Sequence, residues 1–230
     1  MPKPLVCLDP GHGGADPGAA GNSLAEKDLA LDLALRIREE LLSGYHVDVL
    51  MTRETDTFVS LADRARMAND AGADYFHSVH LNAFEPSARG YEDFVHTSVR
   101  DDGRAARIRA AVHEAVMELL TPYGVPDRGY KRADFFVLRE TAMPAVLTEN
   151  LFVTNEADAG LLRQELFRQA LARAHVRGIA RGLGLQPVAR PPVLYKVQVG
   201  AFTQRENAER LAAELRDKGY SVYIVRTSPD

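Results

Sequence analysis

Short apolar segments bounded by turn residues alternate with longer segments whose apolar residues recur every three or four positions. Leu5-Val6-Cys7-Leu8 is halted by Asp9-Pro10-Gly11, a strand followed by a turn. Leu29, Leu33, Ile37 and Leu41 then mark one buried stripe of a helix from Glu26 to about Leu42, closed by Gly44. The same reasoning predicts strands at Val47–Met51, Tyr75–Leu81, Gly90–Thr97, Phe135–Leu138 and Ala145–Thr148. It predicts further helices over Leu61–Ala71, residues 102–121 and Leu161 to about Leu183, the last in one piece or two. Residues 11–24 are rich in Gly, Ala, Asn and Ser and read as a loop without regular structure. Such alternation specifies an α/β fold: a mixed, mostly parallel twisted sheet with helices on both faces.

The rhythm breaks at Gln186-Pro187-Val188-Ala189-Arg190-Pro191-Pro192, where three prolines disfavour helix and stiffen the chain. This gives a domain over residues 1–185, a linker over 186–193 and a fragment over 194–230. The fragment reads as a short βαβ unit, with strands at Tyr195–Val199 and Tyr220–Val225 around a helix at Asn207–Lys218. It is too short to bury a stable core alone, and the chain is expected to end partway through a second domain.

Composition narrows the function. With 28 basic and 32 acidic side chains the formal charge is −4, which argues against a nucleic-acid surface. No run approaches the ~20 apolar residues of a membrane span. A single cysteine, Cys7, excludes internal disulfides and Cys-rich zinc modules; set in an apolar stretch, it reads as a buried, inert thiol.

Of seven histidines, His46, His96, His113 and His175 read as surface or packing residues. His12 differs, because it stands in Asp9-Pro10-Gly11-His12-Gly13-Gly14, just past a strand end where open α/β sheets place their sites. Period-two alternation puts Ser78, His80 and Asn82 on one face of their strand and His77 on the other. Two histidines at strand ends suggest a metal, and a catalytic zinc takes three protein ligands. Glu26 is the available third ligand, although an acid in a first helical turn is commonly there for the helix dipole. Met143 to Asn150 is an apolar strand delivering Glu149, either a solvated loop acid or a general base beside a metal site.

These segments resemble a known family. DPGHGG at 9–14, Glu26-Lys27-Asp28-Leu29, Ser78-Val79-His80-Leu81-Asn82-Ala83 and Val137-Leu138-Arg139 through Glu149-Asn150-Leu151-Phe152 are similar, in order, to the zinc-dependent N-acetylmuramoyl-L-alanine amidases of bacteria. The resemblance spans about residues 4–184. It implies a mixed sheet flanked by helices, one catalytic Zn²⁺ on His12, Glu26 and His80, and Glu149 as the catalytic carboxylate. Asn82 could orient a ligand or substrate. Many members place Gly second after the glutamate; here Leu151 stands there and is expected to narrow the groove floor. The connection from Asn82 to Gly90 is short, so an open groove without a covering helix is expected.

The tail, Tyr195-Lys196-Val197-Gln198-Val199-Gly200-Ala201-Phe202 and onward, resembles the first half of a SPOR domain. That implies contact with glycan strands, with Gln198 facing a sugar. The expected activity is hydrolysis of the amide between N-acetylmuramic acid and L-alanine of peptidoglycan. The rivals are a zinc peptidase cutting within the stem peptide and a non-catalytic wall-binding protein. Peptidoglycan is the expected partner, with no nucleic acid or membrane, and the chain is expected to act as a monomer. No signal peptide is visible, so the chain is expected to stay in the cytoplasm until lysis, as in sporulation or phage release, or to have had its export signal removed.

Overall fold

The computed structural model describes residues 3–188 and 197–226, which divide into two compact units, one up to Val188 and one from Ala189. In the first, strand β1 (Leu5–Pro10) leads through a small hairpin, β2 (Ala20–Gly21) and β3 (Leu24–Ala25), into helix α1 (Glu26–Gly44). Then come β4 (Asp48–Met51), α2 (Leu61–Asp70), β5 (Tyr75–Asn82), β6 (Tyr91–His96) and α3 (Arg104–Leu120). Strand β7 (Asp127–Ala133), the short helix α4 (Phe136–Arg139), β8 (Ala145–Phe152), α5 (Glu156–Leu162) and α6 (Glu165–Leu183) complete the unit.

The main sheet has six strands in the order β4-β1-β5-β8-β6-β7. The first four are parallel, β6 runs antiparallel to β8, and β7 pairs parallel with β6. The expected mixed, mostly parallel α/β fold is therefore present.

Two cores separate along the strands with period two. Val6 and Leu8 of β1, Tyr75, Val79 and Leu81 of β5, and Val146 of β8 join the larger core with residues of α1, α3 and α6. The intervening Cys7, Phe76, Ala145 and Leu147 pack on the opposite face with Ala68 of α2 and Val137 and Leu138 of α4. Cys7 is fully buried, and burial pushes its thiol pKa far up, as an inert packing thiol requires.

Four local expectations need correction. Phe135–Leu138 is not a strand: Phe136–Arg139 forms α4, which buries Val137 and Leu138 against the sheet. The β-propensity of Phe-Phe-Val yields to the position that packing requires. The strand absent from the sequence reading is β7, Asp-Arg-Gly-Tyr-Lys-Arg-Ala, mostly exposed at the sheet edge. An edge strand rich in charge carries no apolar alternation to betray it. The 11–24 loop contains the β2–β3 hairpin, turned by Asn22 and Ser23, both with positive φ. In the tail, the described part of the expected Tyr195–Val199 strand, 197–199, is not in a strand, and neither is 220–225. Tyr195 and Lys196 lie outside the described residues. Helix α7 (Arg205–Asp217) forms where a helix was expected, but among the described residues neither flanking segment has a partner strand, and unpaired strands are not stable.

Candidate metal centre

The site lies where β1, β5 and β8 end. His12 sits two residues past β1, in the left-handed region at φ 58°, a conformation that its glycine neighbours make easier to reach. Two buried arginines fix the loop. Arg53 donates to the carbonyls of Pro10 and Gly11, and Arg64 to those of Pro10 and His12. Arg64 also forms a buried ion pair with Asp9 at 2.8 Å. Asp9 accepts in addition from Thr52 Oγ1 and Ser78 Oγ, both at 2.7 Å. In the sequence neither arginine stands out, since each reads as an ordinary charge on a helix or loop.

The β2–β3 hairpin returns the chain so that Glu26 opens α1 with its side chain turned inward. Glu26 is only 3% exposed, so a dipole-compensating acid in solvent is not what the structure contains. Its Oε2 lies 3.1 Å from His12 Nε2 and accepts from Ala19 N at 2.7 Å. Its Oε1 lies 2.8 Å from His80 Nδ1 and accepts from Leu81 N at 3.0 Å. One ligand atom from each of His12, Glu26 and His80 falls within 4.8 Å of the others, a group able to hold a metal ion. Asp16 Oδ2, 2.8 Å from His12 Nδ1, holds the ring from behind, as carboxylates do for metal-ligating imidazoles.

The three groups lean on one another. The Glu26 hydrogen bond, opposed in part by burial, raises the His12 pKa to about 9. Burial pushes the Glu26 carboxyl up, but the hydrogen bonds with His12 and His80 outweigh it and hold the group well below the usual range. Glycines give the rings room. A Cβ on Gly11 would lie 2.3 Å from His80 Cε1, and one on Gly18 2.5 Å from His12 Cδ2 and 2.6 Å from Glu26 Oε2. The donor set of two imidazoles and a carboxylate suits Zn²⁺, so the residues fit the metal that the sequence implied.

Glu149 lies directly beside His80 in the β5–β8 register. Its Oε2 is buried with no hydrogen-bond partner among the described residues, and burial raises its pKa to about 7. Two residues beyond, Leu151 takes φ 72°, and the β5–β8 register shifts between His80 and Asn82. This left-handed position suits glycine, the residue that the family resemblance leads one to expect there. The expected narrowing of the groove does not occur, because the Leu151 side chain is fully buried in the larger core.

Asn82 lies on the His80 face and donates to Glu92 Oε1 at 2.8 Å. Gln198, in the second unit, donates from its Nε2 to the Gly200 carbonyl at 3.4 Å. His113 and His175 are buried rather than on the surface. Tyr75 Oη, His77, His175 and Asn150 form a continuous hydrogen-bonded chain through the core. No helix lies between β5 and β6, and the His12 and His80 side chains keep 26% and 18% exposure.

An α/β sheet that brings two histidines and a glutamate together beside a carboxylate without a partner among the described residues is a framework suited to metal-assisted hydrolysis. Residues 6–181 match the N-acetylmuramoyl-L-alanine amidase family called Amidase_3, and residues 191–230 match the SPOR domain. The chain belongs to the N-acetylmuramoyl-L-alanine amidase family, enzymes of peptidoglycan hydrolysis. It is 44% identical to the N-acetylmuramoyl-L-alanine amidase CwlM of Bacillus licheniformis over 96% of this chain and 84% of that one. With the sporulation-specific N-acetylmuramoyl-L-alanine amidase of Bacillus subtilis it shares 40% identity over the same proportions. Among solved structures, an N-acetylmuramoyl-L-alanine amidase from Clostridium difficile 630 superposes with a TM-score of 0.75 at 32% identity, covering 80% of this chain and 98% of that one.

Proposed function

We propose that the chain hydrolyses the amide joining the lactyl group of N-acetylmuramic acid to L-alanine, with His12, Glu26 and His80 holding one Zn²⁺ and Glu149 as the catalytic base. The observation that carries this reading is the convergence of three ligand atoms within 4.8 Å beside a glutamate in register with His80. Zn²⁺ bound there would polarise the amide carbonyl and acidify water. Glu149 takes the proton of the attacking water and passes it to the leaving amine. Its Oε2, without a partner among the described residues, is available for that task. Asp16 orients the His12 ring, Asp9 with Arg64 fixes the His12 loop, and Asn82 restrains Glu92 beside the site.

The two-domain reading assigns hydrolysis to residues 1–185 and wall contact, with Gln198 toward a sugar, to 194–230, joined by 186–193. The sporulation-specific relative favours action on the wall during sporulation, and the chain is proposed to act there as a monomer once the mother cell lyses. The test strips the chain of metal, reloads it with zinc and adds purified peptidoglycan. Labelling of new amino groups should reveal N-terminal L-alanine and no new reducing sugar ends. A different N-terminal residue would make it a stem peptidase, and zinc binding without release a wall-binding protein.

A further inference from the structure

A charged row runs from the site to an arginine that the chemistry above does not use. His80, Glu149 and Glu92 stand side by side on β5, β8 and β6, each in register with the next. Arg128, at the start of β7, closes the row by donating from Nε to Glu92 Oε2 at 3.1 Å. Its guanidinium carbon lies 4.9 Å from the centre of the Phe152 ring. Gly90 (φ +121°) leaves room for its stem, since a Cβ there would meet Arg128 Cγ and Cδ at 3.0 Å. The head group is thus held at Nε and against a ring, yet the side chain is 37% exposed. Among the described residues its Nη1 and Nη2 groups donate to nothing. A guanidinium fixed on one edge and open on the other is shaped to take a carboxylate.

We propose that Arg128 is a specificity residue that binds a free carboxylate of the stem peptide, a role that rests on the amide-hydrolysis reading. In this substrate the lactyl carboxyl is consumed in the scissile amide, so free carboxylates belong to the peptide. Arg128 lies two strands from Glu149, about 10 Å at ~4.8 Å per strand. An extended peptide advances about 3.4 Å per residue, which places the recognised carboxylate two to three residues beyond the cut. Stem peptides whose carboxylate is masked as a carboxamide lose the charge that this guanidinium reads.

The experiment compares two soluble N-acetylmuramoyl peptides that differ only in a free carboxylate or a carboxamide at that position. The zinc-loaded wild type should favour the acid about tenfold or more in kcat/KM, chiefly through KM. Arg128→Ala should bring the ratio to about one, and Arg128→Lys should keep part of it. Arg128 also steadies Glu92, so a purely structural role would slow both substrates equally and leave the ratio intact, which would overturn the proposal. Equal use of both by the wild type would overturn it too. Calorimetric titration of Glu149→Gln with both ligands reads the preference without turnover. Selective binding of the acid, with neither ligand cut by the wild type, would refute the hydrolytic reading and uphold the carboxylate site.

Discussion

Replacing Arg64 by methionine tests whether the His12 loop is held by charge or merely by packing. Methionine keeps an unbranched stem in the cavity but deletes the ion pair with Asp9 at 2.8 Å and the hydrogen bonds to the Pro10 and His12 carbonyls. Arg64 and Asp9 are 3% and 1% exposed, so solvent cannot replace the lost partner. Breaking such a pair from one side costs about 3–5 kcal/mol. Asp9 retains the hydroxyls of Thr52 and Ser78, which places the expected loss near the lower end, ~3 kcal/mol. For a unit of this size that lowers the melting temperature by roughly 6–12 °C, read by circular dichroism on metal-free protein. Zinc affinity, measured by chelator competition, should fall about tenfold or more, since the loop orients His12. A loss below about 1 kcal/mol with unchanged zinc affinity would refute the reasoning, because surface substitutions produce as much.

Three further outcomes follow from the same geometry. Glu149→Gln should lower turnover at least ~100-fold while zinc content stays at the wild-type level; wild-type turnover would exclude Glu149 as the base. Gly18→Ala places a methyl against His12 and Glu26 at a residue with φ +65°, so zinc affinity should drop at least ~10-fold by chelator competition, and wild-type affinity would contradict the packing. Burial lowers the His77 pKa from 6.5 to about 3 and holds that of His175 well below 6.5. The unfolded chain binds protons below pH 6.5 that the folded chain refuses, so this stability is complete above 6.5 and is lost as pH falls towards 3. By pH 4.5 the loss from His77 amounts to about 3 kcal/mol. Urea unfolding of His77→Gln across this range should show a shallower acid slope than the wild type, and an identical slope would refute the assignment.

Much of the site was legible because its residues sit at breaks in the pattern. His12 follows a strand that ends in Asp-Pro-Gly, and His80 shares a strand face with two other polar residues that an apolar core would not supply. Each of those polar residues proves to be occupied: Ser78 by Asp9, His80 by Glu26 and Asn82 by Glu92. Glu26 was less legible. A first-turn acid looks the same in sequence whether it faces water or two histidines, and only the β2–β3 hairpin, built on two positive-φ residues, turns it inward.

Periodicity alone specifies the α/β class, because strand and helix periods differ and each must bury its apolar face. The order of the site motifs and the proline break after them are likewise sequence properties. Packing between elements set whatever depends on neighbours distant in the chain. It made Phe136–Arg139 a helix, drew a charged segment into the sheet as β7, and set Arg64 under the His12 loop through a pair 55 residues apart. It also buried Leu151 in a conformation that favours glycine. The physical reason is the same in each case. Local periodicity reports which face of an element avoids water, whereas the partner of a buried charge or an edge strand is fixed only when the elements pack.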